Sequence, residues 1–220
     1  KIKNWLWDDL TFFDHIIYIP SLTLNMPIDI TIASGVDAFD HLIESLISVK
    51  FNAQNITLCN EGMEAIWNSL PQLLKNENNI NERTNMLLGS GIAGKAIDLT
   101  GCGICHCIAH TLGSLTNVSH GVAVAYALFH TIEAVLTFKP DLSERFQGQL
   151  KGLSAILLAK NIKKWISEMN INYQIIEGKV DFDDFIRIYF LDDNKSMRDN
   201  TFFQPNKFDL KKMLNNLWKI

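Results

Sequence analysis

The sequence predicts an all-α fold: a helical bundle with a short extended N-terminal lead-in. Three observations carry this expectation. Apolar residues recur at three-four spacing from Val36 through Phe39, Leu42, Ile43 and Leu46 to Ile47, the period of one helix face. Comparable patterns follow one another with short connections, most of them bounded by proline or a polar run. Nowhere does a strand pattern alternate with a helix pattern, as a doubly wound sheet would require.

Residues 1–30 read as an irregular lead-in. Trp5, Trp7, Phe12 and Phe13 show no clean period, and the run from Ile16 to Pro27 reads as a short strand or extended segment with turns at its two prolines. Residues 31–220 read as one all-α domain, the helical pattern itself setting in at Asp29. A second helix is expected over Ile56–Leu70, stopped by Pro71. A third starts near Asn81, with Glu82 in its first turn where a carboxylate suits the helix dipole, and runs to about Thr100. Its small residues Gly89, Ser90, Gly91, Ala93, Gly94 and Ala96 predict close approach of another helix, since each helical glycine costs ~1 kcal/mol relative to alanine. It is no phosphate loop: GxxxxGK[ST] and a preceding strand are both missing. Val122–Phe138 reads as a strongly apolar helix ended by Pro140, and Leu142–Met169 as an amphipathic one. Val180–Phe190 and Asp209–Trp218 complete the series around the loop Asp192–Asn206.

The 220 residues suffice for a sizeable core, and 47% hydrophobic with 20% charged residues is ordinary for a globular protein. A net charge of −4 with scattered lysines gives no reason to expect a nucleic-acid partner. The cysteines are Cys59, Cys102, Cys105 and Cys107. The last three are too crowded for a disulfide framework, which predicts a reducing, cytoplasmic setting. Cys102-x-x-Cys105 has no second CxxC and lies in an apolar run, so buried, inert thiols are expected. Lys1–Asp9 shows no signal-peptide pattern, and no run of ~18 apolar residues suggests a membrane span.

The chemistry concentrates between Gly101 and Gly121, GCGICHCIAHTLGSLTNVSHG. His106 and His110 are four apart and share one helix face. His120 lies fourteen residues beyond His106, ~21 Å away if the helix were unbroken. Gly113 and the polar run Ser114–Asn117 offer a place to break and return. Asp37 and His41 are also four apart, in GVDAFDHLIE. An isolated Asp/His pair at that spacing is ordinarily a hydrogen bond. One carboxylate and three imidazoles (Asp37, His41, His106, His120) in apolar surroundings instead suit a divalent ion such as Fe(II) or Zn(II). Such an ion polarises a carbonyl or favours the alkoxide of a bound alcohol. His110, one turn from His106 and with a reference pKa near 6.5, is the candidate catalytic proton carrier. His15 is read as structural and His130 as near the site. Phe39, Trp67 and Phe129 are read as core aromatics rather than pocket walls.

GVDAFDHLIES resembles the G-x-DA-x-x-H-x-x-E signature of the iron-containing alcohol dehydrogenases. GCGICHCIAHTLGSLTNVSHGVAVAYAL resembles that family's second signature, G-x-x-H-x-x-x-H-x-x-G, a gap, then H-G-x-x-x-A. The likeness reaches from about Pro20 to Leu217. It implies that Asp37, His41, His106 and His120 match the family's metal ligands, and that His110 matches the histidine beside the reacting carbon and nicotinamide. The histidine at 41 favours an iron-type, four-ligand site over the three-ligand zinc site of glycerol dehydrogenase or dehydroquinate synthase. The implied reaction is hydride transfer between NAD(P) and a small alcohol or aldehyde. The family's glycine-rich GGGS turn and N-terminal nucleotide-binding domain are not in this sequence. The resemblance therefore implies the C-terminal, metal-binding half, with residues 1–30 as the junction and NAD(P) bound only with the other domain. Phe129 stands where the family usually has proline, and Thr201 follows Asn200 where Asn-Pro is usual. A freestanding, catalytically silent metal-binding or assembly module is the alternative from a different class. A homodimer is compatible with either.

Overall fold

The computed structural model describes residues 13–53 and 55–219. The expectations placed on Lys1–Asp9, Trp5, Trp7 and Phe12 lie outside them. Among the described residues the helices are α1 (Ile28–Ile47), α2 (Asn55–Leu73), α3 (Ile80–Thr100), α4 (Ile104–Leu115), α5 (His120–Phe138), α6 (Ala155–Glu168), α7 (Phe182–Tyr189), α8 (Lys195–Arg198) and α9 (Lys207–Met213). Short 3-10 turns join several of them. The described residues contain no strand, only isolated bridges between Ser48 and Thr201 and between Val180 and Trp218. The all-α expectation holds.

α1 is the central helix. It packs against α2 and α3 on one side and α5 on another, and α4 and α5 pair with each other. Val36, Phe39, Leu42, Ile43 and Leu46 are fully buried, the stripe read from the sequence. Phe39 stacks into an aromatic group with Trp67 and Trp165, at ring-centroid distances of 5.7 and 4.6 Å, so it and Trp67 serve the core. The close approach expected of the small-residue run occurs at Gly89, where α3 meets Ile66 and the Gly62 carbonyl of α2. The lead-in has no strand: residues 13–19 are exposed and irregular, and Pro20–Thr23 form a 3-10 turn.

Several expected boundaries move. α2 does not stop at Pro71 but runs through it to Leu73. Proline lacks the N–H that would bond the Trp67 carbonyl. The indole Nε1–H of Trp165 donates to that carbonyl instead, at 3.2 Å, so the helix survives the loss. The expected long helix over Leu142–Met169 is broken into 3-10 turns at Pro140–Arg145 and Gly148–Leu150 before α6. Gly148 and Gly152 take φ of 61° and 73° there. Asp209–Trp218 divides into α9, started by an Asn206/Asp209 capping box, and a 3-10 turn at Asn215–Leu217. The loop Asp192–Asn206 contains α8.

α5 corrects another expectation. It is long and apolar enough to cross a bilayer by length and composition, with mean hydropathy 1.5. It is apolar on nearly all sides because it is a core helix, in contact with α1, α4 and α6.

Candidate metal centre

Three helices converge on one wall. Asp37 and His41 project from successive turns of α1. α3 ends at Gly101, whose φ of 75° lets the chain turn 101° into α4. That turn is held from outside. The Asn200 amide donates to the carbonyls of Thr100 and Cys102, at 2.8 and 3.0 Å, and accepts from the Ser48 hydroxyl at 2.7 Å. α4 continues through Gly113 to Leu115, so the break falls at Thr116–Ser119, a little later than expected. His120 then opens α5. A side chain on Gly121 would fall onto the Ala33 carbonyl, and that contact of α5 with α1 brings His120 over Asp37.

The geometry centres on Asp37 Oδ1. His106 Nε2 lies 3.3 Å from it, His120 Nε2 3.7 Å and His41 Nε2 3.9 Å. Donor atoms of Asp37, His106 and His120 all fall within 4.8 Å of one another. The His41 ring stacks on His106 with centroids 4.4 Å apart. Asp37 Oδ1 and His106 Nε2 are buried without a hydrogen-bond partner. Buried polar atoms are rarely left so, and two facing lone-pair donors fit a shared cation. A cavity of about 450 Å³ opens in front, lined among others by His41, Cys102, His106, His110, His120 and Met197.

The electrostatics also suit a cation. Three carboxylates surround His106: Asp37, Asp40 at 3.2 Å from Nδ1, and Glu44 at 2.8 Å from Nδ1. Burial opposes a charge on His106, but Glu44, Asp37 and Asp40 outweigh it and hold its pKa well above the usual value. Burial likewise works against Asp37, yet the His106 contact and the charges of His41, His106 and His120 pull its pKa down. His41 is pushed down to about 4 by burial and by the neighbouring His106. Asp40 is pushed up to about 7 by burial and by Glu44 beside it.

All five site residues read from the sequence line this corner. His110 faces the same cavity, its ring 5.5 Å from His120 and 6.5 Å from His106. His130 does not line the cavity. It packs on Tyr126 and Phe129, four and one residues before it on α5, so placing it near the site is corrected. His15 is exposed in the lead-in. Cys59, Cys105 and Cys107 are buried free thiols as expected, but Cys102 is only half-buried and lines the cavity. Its sulfur lies within 4.8 Å of donor nitrogens on His41 and His106. Its place four residues before His106 was the available signal. Asp40 and Glu44 were missed as partners of His106, although both stand inside the Asp37/His41 stretch.

An all-helical domain that gathers a carboxylate and three imidazoles beside one cavity defines the class: a helical domain with a candidate metal centre between its helices. Within that class, residues 31–218 match the model described as Fe-containing alcohol dehydrogenase family, C-terminal, and the chain belongs to this family of oxidoreductases. It is 30% identical over 141 residues to maleylacetate reductase 1 of Cupriavidus pinatubonensis, covering 64% of this chain and 40% of that protein. To 1,3-propanediol dehydrogenase of Citrobacter freundii it is 33% identical over 141 residues, covering 62% and 36%. The structure of an alcohol dehydrogenase from Oenococcus oeni superposes with a TM-score of 0.79 at 27% identity, covering 90% of this chain and 54% of that one. The chain thus spans about half or less of these relatives' length.

Proposed function

We propose that the chain is the metal-holding catalytic half of an NAD(P)-dependent alcohol dehydrogenase or aldehyde reductase. Asp37, His41, His106 and His120 hold one divalent ion, Fe(II) in preference to Zn(II). The ion, when bound, supplies Lewis-acid polarisation of the substrate oxygen. The residues of this chain do the rest. The cavity takes a small alcohol or aldehyde against the histidine wall. His110, on the same cavity one turn from His106, carries the proton that leaves the hydroxyl on oxidation or returns on reduction. NAD(P), held by an N-terminal nucleotide-binding domain, would supply the hydride chemistry at the substrate carbon. The observation that carries this reading is the convergence of three imidazole nitrogens within 3.9 Å of Asp37 Oδ1.

The test is elemental analysis after anaerobic Fe(II) loading and removal of excess ion. One ion per chain is expected, and none in Asp37→Ala or His120→Ala. An unmodified chain that retains no ion would reject the reading.

A second reading rests on one observation: Asp37, His106 and His120 form a tight donor triad that excludes His41. It makes the site a three-ligand zinc centre with His41 as a wall. His41→Ala retaining a full equivalent of Zn(II) selects this reading; loss of the ion selects four ligands.

A further inference from the structure

Glu44 is a fully buried carboxylate on α1, and every hydrogen bond it accepts comes from the first residues of the α4 corner. The Gly103 N–H donates to Oε2 at 2.6 Å, the Cys105 N–H to Oε1 at 2.7 Å, and the His106 ring contacts Oε2 through Nδ1 at 2.8 Å. α4 has no side-chain cap of its own: its cap residue is Gly103. One carboxylate from another helix therefore accepts from two backbone N–H groups of the helix start, those of Gly103 and Cys105, where negative charge is favoured. It also meets the ring nitrogen of His106 that faces away from Asp37.

We infer that Glu44 is a positioning residue that fixes the ring proton of His106 on Nδ1 and so keeps the Nε2 lone pair aimed at the ion. An ionised carboxylate can only accept, so the nitrogen beside it must carry the proton. Asp40 Oδ2 lies 3.2 Å from the same nitrogen, but neither of its oxygens makes a hydrogen bond, which leaves Glu44 as the acceptor. Because Glu44 also grips two backbone N–H groups of the same turn, it sets the position of the ring as well as its tautomer. The stretch of α1 from Asp37 to Glu44 spans two helix turns. One stretch of α1 thus supplies two donors to the ion, Asp37 and His41, and the brace for a third. The inference rests on the proposed metal site.

Glu44→Gln tests it. An amide has one oxygen where the carboxylate has two acceptors, so its NH₂ must face a donor or Nδ1 itself. Facing Nδ1, it would donate there and send the ring proton to Nε2. The probe is Zn(II), which is diamagnetic, bound to the 220-residue chain with ¹⁵N-labelled histidine. In the unmodified chain, long-range ¹H–¹⁵N spectra should show the His106 proton on Nδ1 and the ion on Nε2. Glu44→Gln should bind Zn(II) ~10–100-fold more weakly, the range for losing the carboxylate behind a ligand histidine. Circular dichroism checks that the variant folds. A role confined to capping α4 would lower its melting temperature without changing which nitrogen is protonated or metal-bound. Zn(II) bound by the unmodified chain with the ring proton on Nε2, or bound by the variant within threefold, overturns the inference while leaving the metal site standing. If the variant does not fold, the nitrogen assignment in the unmodified chain decides alone. No ion in the unmodified chain removes the metal site and this inference with it.

Discussion

α1 passes two buried charged groups, and they are built in opposite ways. Near its start, Arg83 of α3 is almost completely buried, and its guanidinium meets only neutral acceptors. Nε donates to the Glu77 carbonyl at 2.9 Å, Nη1 to the Thr31 hydroxyl at 2.6 Å, and Nη2 to the Met26 carbonyl at 3.2 Å. The Thr31 hydroxyl donates in turn to the Pro27 carbonyl at 3.1 Å, so the cluster closes on itself. Two turns further along, His106 sits among three carboxylates, and its Nε2 and the facing Asp37 Oδ1 have no hydrogen bond. Both regions are buried and charged. The first satisfies its charge and fastens the start of α1 to α3. The second leaves two buried donor atoms without a hydrogen-bond partner, beside a cavity lined by His106. Between these two clusters it is the completeness of hydrogen bonding, rather than burial or charge, that differs.

That contrast can be broken experimentally. The largest effect should come from Asp37→Ala, which removes the atom on which the imidazoles converge: metal affinity should fall by more than ~100-fold, beyond the loss expected for a residue behind the ligands. Isothermal titration with Zn(II) measures it, and metal-free stability should fall only modestly, because Glu44 and Asp40 still contact His106 when Asp37 is gone. Arg83→Met should do the reverse. It strands the acceptors around the guanidinium, at about 1–3 kcal/mol of stability for a stranded buried group, and leaves Zn(II) affinity within threefold. Urea unfolding with parallel metal titration would show both; a large loss of affinity would mean the two clusters are not separate.

Gly121→Ala sharpens the boundary between them. Its new methyl meets backbone at Ala33, so α5 must move away from α1. The expected cost is about 1–3 kcal/mol of stability, accompanied by weaker metal binding because His120 moves with the helix start. Stability lost with affinity intact would show that His120 does not depend on that contact.

The smallest effect concerns His130, the histidine outside the site. Burial and the charge of Lys163 push its pKa down to about 4. The unfolded chain then binds a proton that the folded chain refuses between pH 6.5 and 4. Its stability contribution is present above 6.5 and is lost as the pH falls through that window. At pH 5 the loss should be about 1 kcal/mol, discounted for its partial exposure. His130→Phe should flatten this part of the urea midpoint against pH in metal-free protein. An unchanged slope would assign the acid sensitivity to the site histidines instead.

The parts of this arrangement that follow local spacing were legible in the sequence. Asp37 with His41 and His106 with His110 needed only the four-residue repeat of a helix, and the stripe from Val36 to Leu46 followed in the same way. His120 needed a chain break, which the polar run after Gly113 signalled to within a few residues. What stayed hidden depends on partners distant in sequence. Pro71 reads as a stop unless Trp165 is known to supply the missing donor. Glu44 reads as the polar edge of an amphipathic helix until the α4 corner arrives above it. Cys102 reads with its buried neighbours until Gly101 turns it toward the cavity. Asn200 carried no chemical signal beyond its place before Thr201, yet it is the residue that clamps the turn.

That clamp has a temporal consequence. The hydrogen bond from Asn200 to the Thr100 carbonyl joins positions a hundred residues apart. During synthesis, α1, α4 and α5 can emerge and begin to pack while the corner between α3 and α4 still lacks its brace. The histidine wall is therefore completed late, once the tail has left the ribosome and folded back. A nascent or C-terminally clipped chain would keep Asp37 and all the histidines of the wall and still hold them in a loosened frame.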